Sequence, residues 1–262
     1  MDMVMAKIKD VKAETNSHKT FILDAKVDAI PGQFVMVWIP GLDEKPFSLS
    51  YVKGDMGVTV LKLGPFTTEM HTLNEGDMLG VRGPFGRGFK ISGDKILIVG
   101  GGCGVAPLAP LAEIACNRGK DVTAILGART ASEVLFSERI RKAGARVIIT
   151  TDDGTAGLKG YTVDALKDLL KEEDFDQCCT CGPEVMMARV VEQTHGKIPT
   201  QASLERYFKC GIGICGQCVL DEAGLRVCKE GPVFRYKELI DGEFGKYRRD
   251  ASGAKIPFGV ER

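Results

Sequence analysis

Short apolar or alternating runs fill the first ninety residues and are separated by turn-forming residues such as Pro-Gly, Lys-Gly-Asp and Glu-Gly-Asp. Runs of this length and composition predict β-strands. Five strands are predicted, at 3–12, 19–27, 32–40, 47–53 and 57–63. A short helix is expected around residues 67–73. Many short strands joined by polar turns are typical of a small antiparallel barrel.

The pattern changes at Lys95, where buried strands begin to alternate with amphipathic helices. Strands are predicted at 95–100, 121–128, 145–151 and 174–182, and helices at 105–119, 137–144, 162–173 and 183–193. Such alternation indicates a doubly wound parallel sheet. We therefore expect a β plus α/β chain, with a barrel at 1–92, an α/β domain at 93–199, and a small cysteine-containing module with a charged tail at 200–262.

One uncharged stretch, residues 96–112, approaches the length of a membrane span. It contains four glycines and two prolines, and it is closed off by Lys95 and Glu113. A buried strand, a glycine loop and an apolar helix explain this composition better than a span does. We predict no membrane segment here.

Charge and cysteine content limit the partners and the cellular compartment to be expected for this chain. The 262 residues carry 35 Lys and Arg against 35 Asp and Glu, so a nucleic-acid or anionic-membrane partner is not expected. The N-terminal ten residues have charges threaded through them and do not resemble a signal peptide. Nine cysteines in such a chain favour a reducing cytoplasm, where clustered thiols are metal ligands more often than disulfides.

Four cysteines near the C-terminus have the spacing C-x4-C-x2-C-x9-C: Cys210, Cys215, Cys218 and Cys228. A plant-type [2Fe–2S] site uses C-x4-C-x2-C and a more distant fourth cysteine. Glycines between them would permit unusual backbone angles and let N–H groups point at the sulfurs. The alternatives are structural zinc and unligated buried thiols, although zinc usually takes two C-x2-C pairs and these four cysteines contain only one such pair.

The other cysteines carry a weaker signal. Cys178 and Cys179 fall in a predicted strand, where a small buried apolar residue is the default reading. Cys103 and Cys181 occur beside glycine at strand ends, where they either line a pocket or pack.

A glycine-rich loop at 99–107 follows the first strand of the α/β half and opens a helix. Such a loop lets a nucleotide phosphate approach the backbone at a helix N-terminus. The turns at 127–130, 151–157 and 181–187 fall at the ends of later strands, so one crevice could collect them. All of them could equally be ordinary turns.

Two barrel segments, 44–50 and 62–70, combine cations and hydroxyls with a predicted proline-fixed turn and a helix start. Each could hold a phosphorylated aromatic cofactor, or be a plain loop.

Six segments in order carry a resemblance to a known family: KPFSLS, RGPFGRGF, VGGGCGVAP, TDDGTAGLKGYTVD, CGPEVMM and SLERYFKCGIGICGQC. Together they resemble the ferredoxin-reductase family, in which a flavin-binding barrel precedes a pyridine-nucleotide domain. Within it, the electron-transfer subunits of NAD-dependent dihydroorotate dehydrogenase are the more similar branch. The resemblance covers nearly the whole chain.

The resemblance implies FAD, NAD and a [2Fe–2S] cluster, and it assigns residues to each. For FAD it implies Lys45, Pro46, Phe47 and Ser48, then Leu61, Lys62, Thr67 and Thr68. Two positions depart from the family, which usually has Arg at Lys45 and Gly at Phe66. For NAD it implies Gly100, Gly101, Gly102, Gly104 and Pro107, then Cys181, Gly182 and Pro183. Cys210, Cys215, Cys218 and Cys228 match the cluster ligands.

The function implied by the resemblance is electron transfer from dihydroorotate through FMN on a partner subunit, then the cluster and FAD, to NAD+ in pyrimidine biosynthesis. It also implies a heterotetramer of two of each subunit, and no catalytic acid, base or nucleophile on this chain. Arg129, after the second α/β strand, could meet a 2′-phosphate, so NAD is preferred only through the resemblance. The alternatives are the small flavin and iron–sulfur subunit of an NADH-dependent ferredoxin:NADP oxidoreductase or sulfide dehydrogenase, and a non-enzymatic zinc module.

Overall fold

The computed structural model describes residues 2–258. The first part is a closed barrel of six antiparallel strands in the order β1-β2-β5-β4-β3-β6. The strands are β1 Val4–Ala13, β2 His18–Asp28, β3 Phe34–Ile39, β4 Asp43–Tyr51, β5 Lys53–Leu61 and β6 Met78–Phe85. Alternate side chains point inward, so Phe21 and Leu23 of β2 meet Val35 and Val37 of β3 in the barrel core. The predicted barrel is confirmed.

The barrel differs from the prediction at two places. Strand β6 is not predicted, because Gly80 and Gly83 interrupt its apolar run. The expected proline-fixed turn at 44–50 is wrong, because these residues lie within β4. Strand β4 pairs with β5 only from Leu49 onward, so Pro46, which has no N–H to donate, lies where one side of the strand has no ladder.

A short helix, α1 Pro65–Met70, connects β5 to β6. It begins two residues earlier than predicted and ends three residues earlier. Proline at the first helical position explains the early start, since its missing N–H would have had no partner there.

The second part is a seven-stranded sheet in the order β10-β9-β8-β7-β11-β12-β13. The strands are β7 Lys95–Gly101, β8 Asp121–Ala128, β9 Arg146–Thr151, β10 Leu158–Lys159, β11 Gln177–Cys181, β12 Thr200–Ser203 and β13 Val233–Arg235, of which only β13 is antiparallel to its neighbour. The sheet continues past residue 199, so two strands of the predicted C-terminal module extend the α/β sheet. The domain boundaries themselves stay predictions.

Helices cover both faces of this sheet, as a doubly wound fold requires. They are α2 Val105–Asn117, α3 Ser137–Lys142, α4 Thr162–Glu172 and α5 Glu184–Thr194. In β7, Ile96 and Ile98 pack with α2 and α3, whereas Leu97 and Val99 pack with α4 and α5. The uncharged stretch 96–112 is therefore the strand, loop and helix that the sequence predicts. Within residues 2–258, no helix combines the length and apolar character needed to cross a membrane.

Helix α2 lies between the sheet and the barrel, and an arginine ties the two together. Arg139 of α3 donates two hydrogen bonds to the Glu113 carboxylate of α2, at 2.7 and 2.8 Å, and one of 2.8 Å to the Ser50 carbonyl of β4. Its guanidinium lies 4.0 Å from the centre of the Tyr51 ring. This contact fixes α2, and the loop before it, against the barrel.

The cysteine segment lies between β12 and β13 and packs on both larger parts. Its buried core combines Phe34 and Met36 of β3, Met187 of α5, and Cys218 and Cys228. A hairpin of β14 Tyr247–Arg249 and β15 Lys255–Pro257 follows. Met1 and residues 259–262, the last part of the predicted tail, lie outside the described residues.

Candidate functional site

The cluster loop, defined here as residues 210–218, has the backbone shape that its glycines predict. Gly211, Gly213 and Gly216 have φ of +72°, +81° and +73°, a region that other residues rarely adopt. A side chain on Gly211 would also lie 2.9 Å from Cγ of Met36, so the loop lies directly on strand β3. Cys210 is partly exposed and Cys215 is exposed, whereas Cys218 and Cys228 are buried.

Backbone donors favour the thiolate form of this loop's sulfurs. The Ile214 N–H lies 3.4 Å from Cys210 Sγ, and the Cys228 N–H lies 3.4 Å from Cys218 Sγ. Burial acts to raise the pKa of Cys210, but the loop N–H groups, that of Cys215 first, outweigh it and lower the pKa to about 6. The Cys228 side chain lowers the pKa of Cys218 to about 7, and the pKa of Cys228 is raised in return.

The four thiols interact in two pairs. The side chain of Cys215 contributes to the lowered pKa of Cys210, and that of Cys228 lowers the pKa of Cys218. Two pairs of soft thiolate donors fit a centre with two iron atoms, each taking two sulfurs. The donor set therefore fits a [2Fe–2S] cluster.

One arginine, Arg226, bonds the loop directly, and a second, Arg82, interacts with Cys210 only through its charge. Arg226 donates a 2.8 Å hydrogen bond to the Gly213 carbonyl and pairs with Glu230. Arg82 of β6 pairs with Glu44 at 2.6 and 2.7 Å, and the charge of Cys210 contributes to its raised pKa, after Glu44. The spacing of Arg226 and Glu230, four residues apart, is the only local signal that could have found either pair.

The pKa shifts of Cys103, Cys178, Cys179 and Cys181 are opposite in direction to those of Cys210 and Cys218. Burial raises the pKa of Cys103, Cys178 and Cys181 to about 12, and it raises that of Cys179 well above its ordinary value. Cys178 and Cys179 are fully buried in the sheet core, as the packing interpretation expects. These thiols stay protonated and are poor metal ligands.

The structure brings the two predicted NAD segments together. A Cβ on Gly104 would lie 2.5 Å from the carbonyl carbon and oxygen of Cys181. Gly182 has φ +149°, and a Cβ there would lie 2.9 Å from the backbone N of Gly101. Only glycine permits this backbone-to-backbone contact. The remaining predicted residues lie in the same loop or the turns beside it: Gly100 and Gly102 before α2, Pro107 buried within α2, and Pro183 as the N-cap of α5.

The two predicted FAD segments also meet. The Phe47 ring of β4 stacks on the Phe66 ring of α1, with centroids 6.0 Å apart and planes 27° apart. Phe66 is 6% exposed and belongs to the barrel core, so the residue that replaces the family's glycine points inward. The departure at Phe66 therefore adds an aromatic ring to the barrel core.

Lys45 and Thr67, two residues that the resemblance assigns to FAD, already have partners within the chain. The Lys45 ammonium is 2.5 Å from the Asp43 carboxylate and 5.7 Å from the centre of the Tyr207 ring. Thr67 Oγ1 accepts hydrogen bonds from the N–H groups of Leu63 and Gly64, at 2.9 and 3.0 Å. Thr67 thus shapes the turn before α1. The other residues assigned to FAD are arranged around these two: Pro46 and Ser48 in β4, Leu61 at the end of β5, exposed Lys62, and exposed Thr68.

A buried ion triad joins the NAD turn to the cluster loop. Arg206, which precedes the loop, donates to Glu184 at 2.5 and 3.1 Å and to Glu243 at 2.7 Å. The three side chains are 2%, 6% and 1% exposed. Glu184 directly follows the turn at 181–183, and Glu243 accepts the N–H of Asp221 at 2.9 Å. Removing one member of such a buried set costs about 3–5 kcal/mol, so the triad fixes both sites on one support.

These contacts place the three predicted sites side by side. The cluster loop touches β3, and β3 pairs through Met36 and Pro46 with β4, which carries the first predicted FAD segment. The glycine loop before α2 lies against β5 through Cys103 and the Thr59 carbonyl, 3.9 Å apart. A flavin barrel, a nucleotide sheet and a thiolate loop in contact define the class: an iron–sulfur oxidoreductase of the ferredoxin-reductase fold.

Comparison with known proteins agrees with this class. Residues 205–240 match the iron–sulfur cluster binding domain of dihydroorotate dehydrogenase B, and residues 98–192 match the oxidoreductase NAD-binding domain. A Methanocaldococcus jannaschii protein named "Probable dihydroorotate dehydrogenase B (NAD(+)), electron transfer subunit" is 51% identical over 97% of this chain and 98% of its own. A Methanothermobacter thermautotrophicus protein of the same name is 49% identical over 96% of both. The chain belongs to the family of dihydroorotate dehydrogenase B electron-transfer subunits.

Solved structures extend the comparison. A chain of an NADH-dependent reduced ferredoxin-NADP oxidoreductase, described for flavin-based electron bifurcation, superimposes with a TM-score of 0.81 at 29% identity, over 90% of this chain and 89% of that one. The ferredoxin reductase of a carbazole 1,9a-dioxygenase shares the fold, with a TM-score of 0.68 at 22% identity over 76% and 67% of the two chains. The family, the fold class and the cofactor set of FAD, [2Fe–2S] and NAD are thereby confirmed.

Proposed function

We propose that this chain passes electrons from a catalytic dihydroorotate dehydrogenase subunit to NAD+, in the step of pyrimidine synthesis that forms orotate. The observation that carries the proposal is the contact of the thiolate loop with the strand next to the FAD segment. Gly211 lies on Met36, and Met36 is the register partner of Pro46. Electron transfer between two carriers needs this proximity, whereas a module that only binds a partner does not.

The three carriers divide the chemistry, because NAD+ accepts a hydride, an iron–sulfur cluster exchanges single electrons, and a flavin can do both. The protein supplies position and electrostatics. In this proposal Cys210, Cys215, Cys218 and Cys228 hold the cluster, and the loop N–H groups stabilise the negative charge on their sulfurs. The match of residues 205–240 to an iron–sulfur cluster binding domain supports this assignment over zinc.

For FAD, we assign the surface formed by β4 and the turn before α1. Lys45 offers a cation and Ser48 a hydroxyl, and the stacked rings of Phe47 and Phe66 hold the two segments together. Thr67 acts indirectly, by fixing the turn that presents Lys62. A phosphate on Lys45 must displace or share the contact with Asp43, so this lysine binds an anion less strongly than the bidentate arginine usual in the family.

For NAD, we assign the glycine loop and the turn at 181–183. The close contact of Gly104 with Cys181 leaves a smooth backbone surface at the N-terminus of the 13-residue helix α2, where phosphate binding is favoured. Arg139 and Glu113 hold α2 on the barrel, so the nucleotide is presented to the flavin surface in a fixed orientation.

The oxidation of dihydroorotate itself is assigned to the partner, which we expect to carry FMN and to form a heterotetramer of two of each subunit. The three histidines do not converge on a site: His71 bonds the Val60 carbonyl at 2.9 Å, and His195 ends α5. His18 is 5% exposed in the barrel. None is placed to abstract a substrate proton.

The test is a pull-down from native extract followed by assays of the complex and of this chain alone. We expect a flavin partner whose complex with this chain converts dihydroorotate and NAD+ to orotate and NADH. The isolated chain should oxidise NADH with an artificial acceptor but leave dihydroorotate untouched. Turnover of dihydroorotate by this chain alone would refute the division of labour.

A second candidate is a subunit of an NADH-dependent ferredoxin:NADP oxidoreductase, which the structural superposition at 29% identity favours. A larger partner with two flavins in the same pull-down would support it over the first.

A further inference from the structure

The end of strand β8 carries a charged group that neither the glycine loop nor the turn at 181–183 uses. In dinucleotide-binding folds the second strand ends beside the adenosine ribose, where an acidic residue selects the free 2′-hydroxyl and an arginine accommodates a 2′-phosphate. Arg129 directly follows β8 at this place. Its charge alone would predict NADP.

Arg129 is held by a carboxylate four residues further on. Its Nε donates to Glu133 Oε2 at 3.0 Å, and its Nη2 donates to Glu133 Oε1 at 2.9 Å. Two parallel bonds of this kind are the strongest geometry available to an arginine–carboxylate pair. Arg129 is 78% exposed and Glu133 30% exposed, so the pair lies at the surface of the crevice.

The end of strand β9 adds further negative charge. The Asp152 N–H donates to the Ala128 carbonyl and the Asp153 N–H to the Arg129 carbonyl, each at 3.2 Å. The pKa of Arg129 is raised first by Glu133 and at longer range by Asp152. Arg129 therefore lies between two carboxylates, those of Glu133 and Asp152, and the net negative charge of this surface repels a doubly charged phosphate.

We propose that Glu133 is the residue that selects NAD over NADP, because it occupies the guanidinium of Arg129 and, with Asp152, gives the ribose subsite a negative charge. This inference rests on the proposed use of a pyridine nucleotide and adds the device that chooses between the two. A 2′-phosphate must both break a bidentate pair and approach the surrounding carboxylates, whereas a 2′-hydroxyl meets neither cost.

The test compares NADH with NADPH in the flavin-loaded chain, using ferricyanide as acceptor, and measures NAD+ and NADP+ dissociation constants by calorimetry. We expect Glu133→Gln to raise kcat/KM for NADPH at least about tenfold and to tighten NADP+ by a similar factor, which corresponds to about 1.4 kcal/mol. Adding Arg129→Gln should remove the gain. Asp168→Asn is the matched control, because it removes one carboxylate from a surface pair with Lys171 on α4 and should leave the NADPH to NADH ratio unchanged.

Two results would overturn the inference: unchanged NADPH use in an active Glu133→Gln variant, or a gain that survives the loss of Arg129. Failure of the proposed function would look different, since the wild-type chain would then oxidise neither nucleotide.

Discussion

The glycine loop at 99–107, with the turn at 181–183 that it contacts, and the cluster loop at 210–218 both combine glycine with cysteine, yet they use these residues in opposite ways. In the first, Gly104 and Gly182 let two backbones touch, and burial keeps the thiols of Cys103 and Cys181 protonated. In the second, positive φ angles turn N–H groups toward sulfur, and the pKa of Cys210 falls to about 6. In the proposed assignment, the first loop accepts a nucleotide phosphate and the second donates sulfur ligands.

The difference shows that cysteine content does not identify a metal site. What distinguishes the two sites is whether backbone N–H groups face the sulfur. At Cys210, hydrogen bonds to the thiolate lower the pKa more than burial raises it, whereas at Cys181 the effect of burial is larger and the pKa is raised. Spacing along the chain predicts the four loop ligands because a fixed spacing implies a fixed loop shape.

The largest expected effect comes from exchanging a loop thiol. Cys218→Ser should reduce bound iron to less than about a tenth of the wild-type content, because a serine hydroxyl is not deprotonated at neutral pH and is a poor ligand for iron. Iron and acid-labile sulfide analysis with visible absorption measures the loss. Cys179→Ala, in the sheet core, is the control and should keep its iron, with a stability cost of roughly 1 kcal/mol from the cavity. Equal iron loss in both variants would contradict the distinction between the thiols of the cluster loop and the buried thiols of the sheet.

The second effect is steric and belongs to the glycine loop. Gly104→Ala places a methyl group 2.5 Å from the Cys181 carbonyl, so the loop must move. We expect kcat/KM for NADH to fall about tenfold to a hundredfold while iron content stays normal, since small misplacements of reacting groups cost this much. Gly119→Ala, beyond the other end of α2, meets no atom within 4 Å and should cost only about 1–2 kcal/mol of backbone strain. Normal NADH kinetics in Gly104→Ala would show that the backbone contact is not needed.

The smallest expected effect concerns Asp221, whose contacts anchor the cysteine segment to the C-terminal hairpin. The Asp221 carboxylate accepts hydrogen bonds from Tyr247 at 2.5 Å and Arg249 at 2.7 Å, and lies 3.0 Å from the Lys255 ammonium. These groups, Tyr247 first, hold the pKa of Asp221 well below its usual range. Asp221→Asn should destabilise the C-terminal hairpin by at most about 1 kcal/mol, since the site is partly exposed.

The pH dependence of this anchor has a definite sign. Because the folded pKa is lowered, the stabilisation is complete above the ordinary aspartate value near 4 and is lost as the pH falls below it. Hydrogen exchange of the hairpin should therefore be protected equally at pH 5 and 8 and lose protection in acid. Glu222→Gln controls for the loss of one charge. Protection of the hairpin in Asp221→Asn equal to that of the wild type would show that the tail is held elsewhere.

Much of this molecule follows from its sequence. Period-two and strand–helix patterns predict the barrel and the doubly wound sheet, because each element must bury one face. The glycines of β6 interrupt the apolar run that would predict a strand, although Gly80 pairs with Met5 on one side and Trp38 on the other. Pro46 resembles a turn residue but lies in β4, where one side of the strand has no ladder. The cysteine spacing predicts the loop.

Other features depend on contacts between distant residues, and no local pattern encodes them. In the Arg206 triad, Glu184 and Glu243 lie 22 and 37 positions from Arg206 in the sequence. Gly104 lies against the Cys181 carbonyl, at the end of strand β11. Two pairs are exceptions, because Glu133 lies four residues after Arg129 and Glu230 four residues after Arg226, and this spacing is a local signal.

The most direct test of the central claim, that electrons pass between the thiolate loop and NAD only through the flavin surface, is anaerobic reduction by NADH followed by low-temperature EPR. Protein loaded with both cluster and FAD should develop the reduced-cluster signal on adding NADH, and the same protein stripped of FAD should remain silent until dithionite is added. A cluster that NADH reduces without FAD, or cannot reduce with it, would contradict the relay.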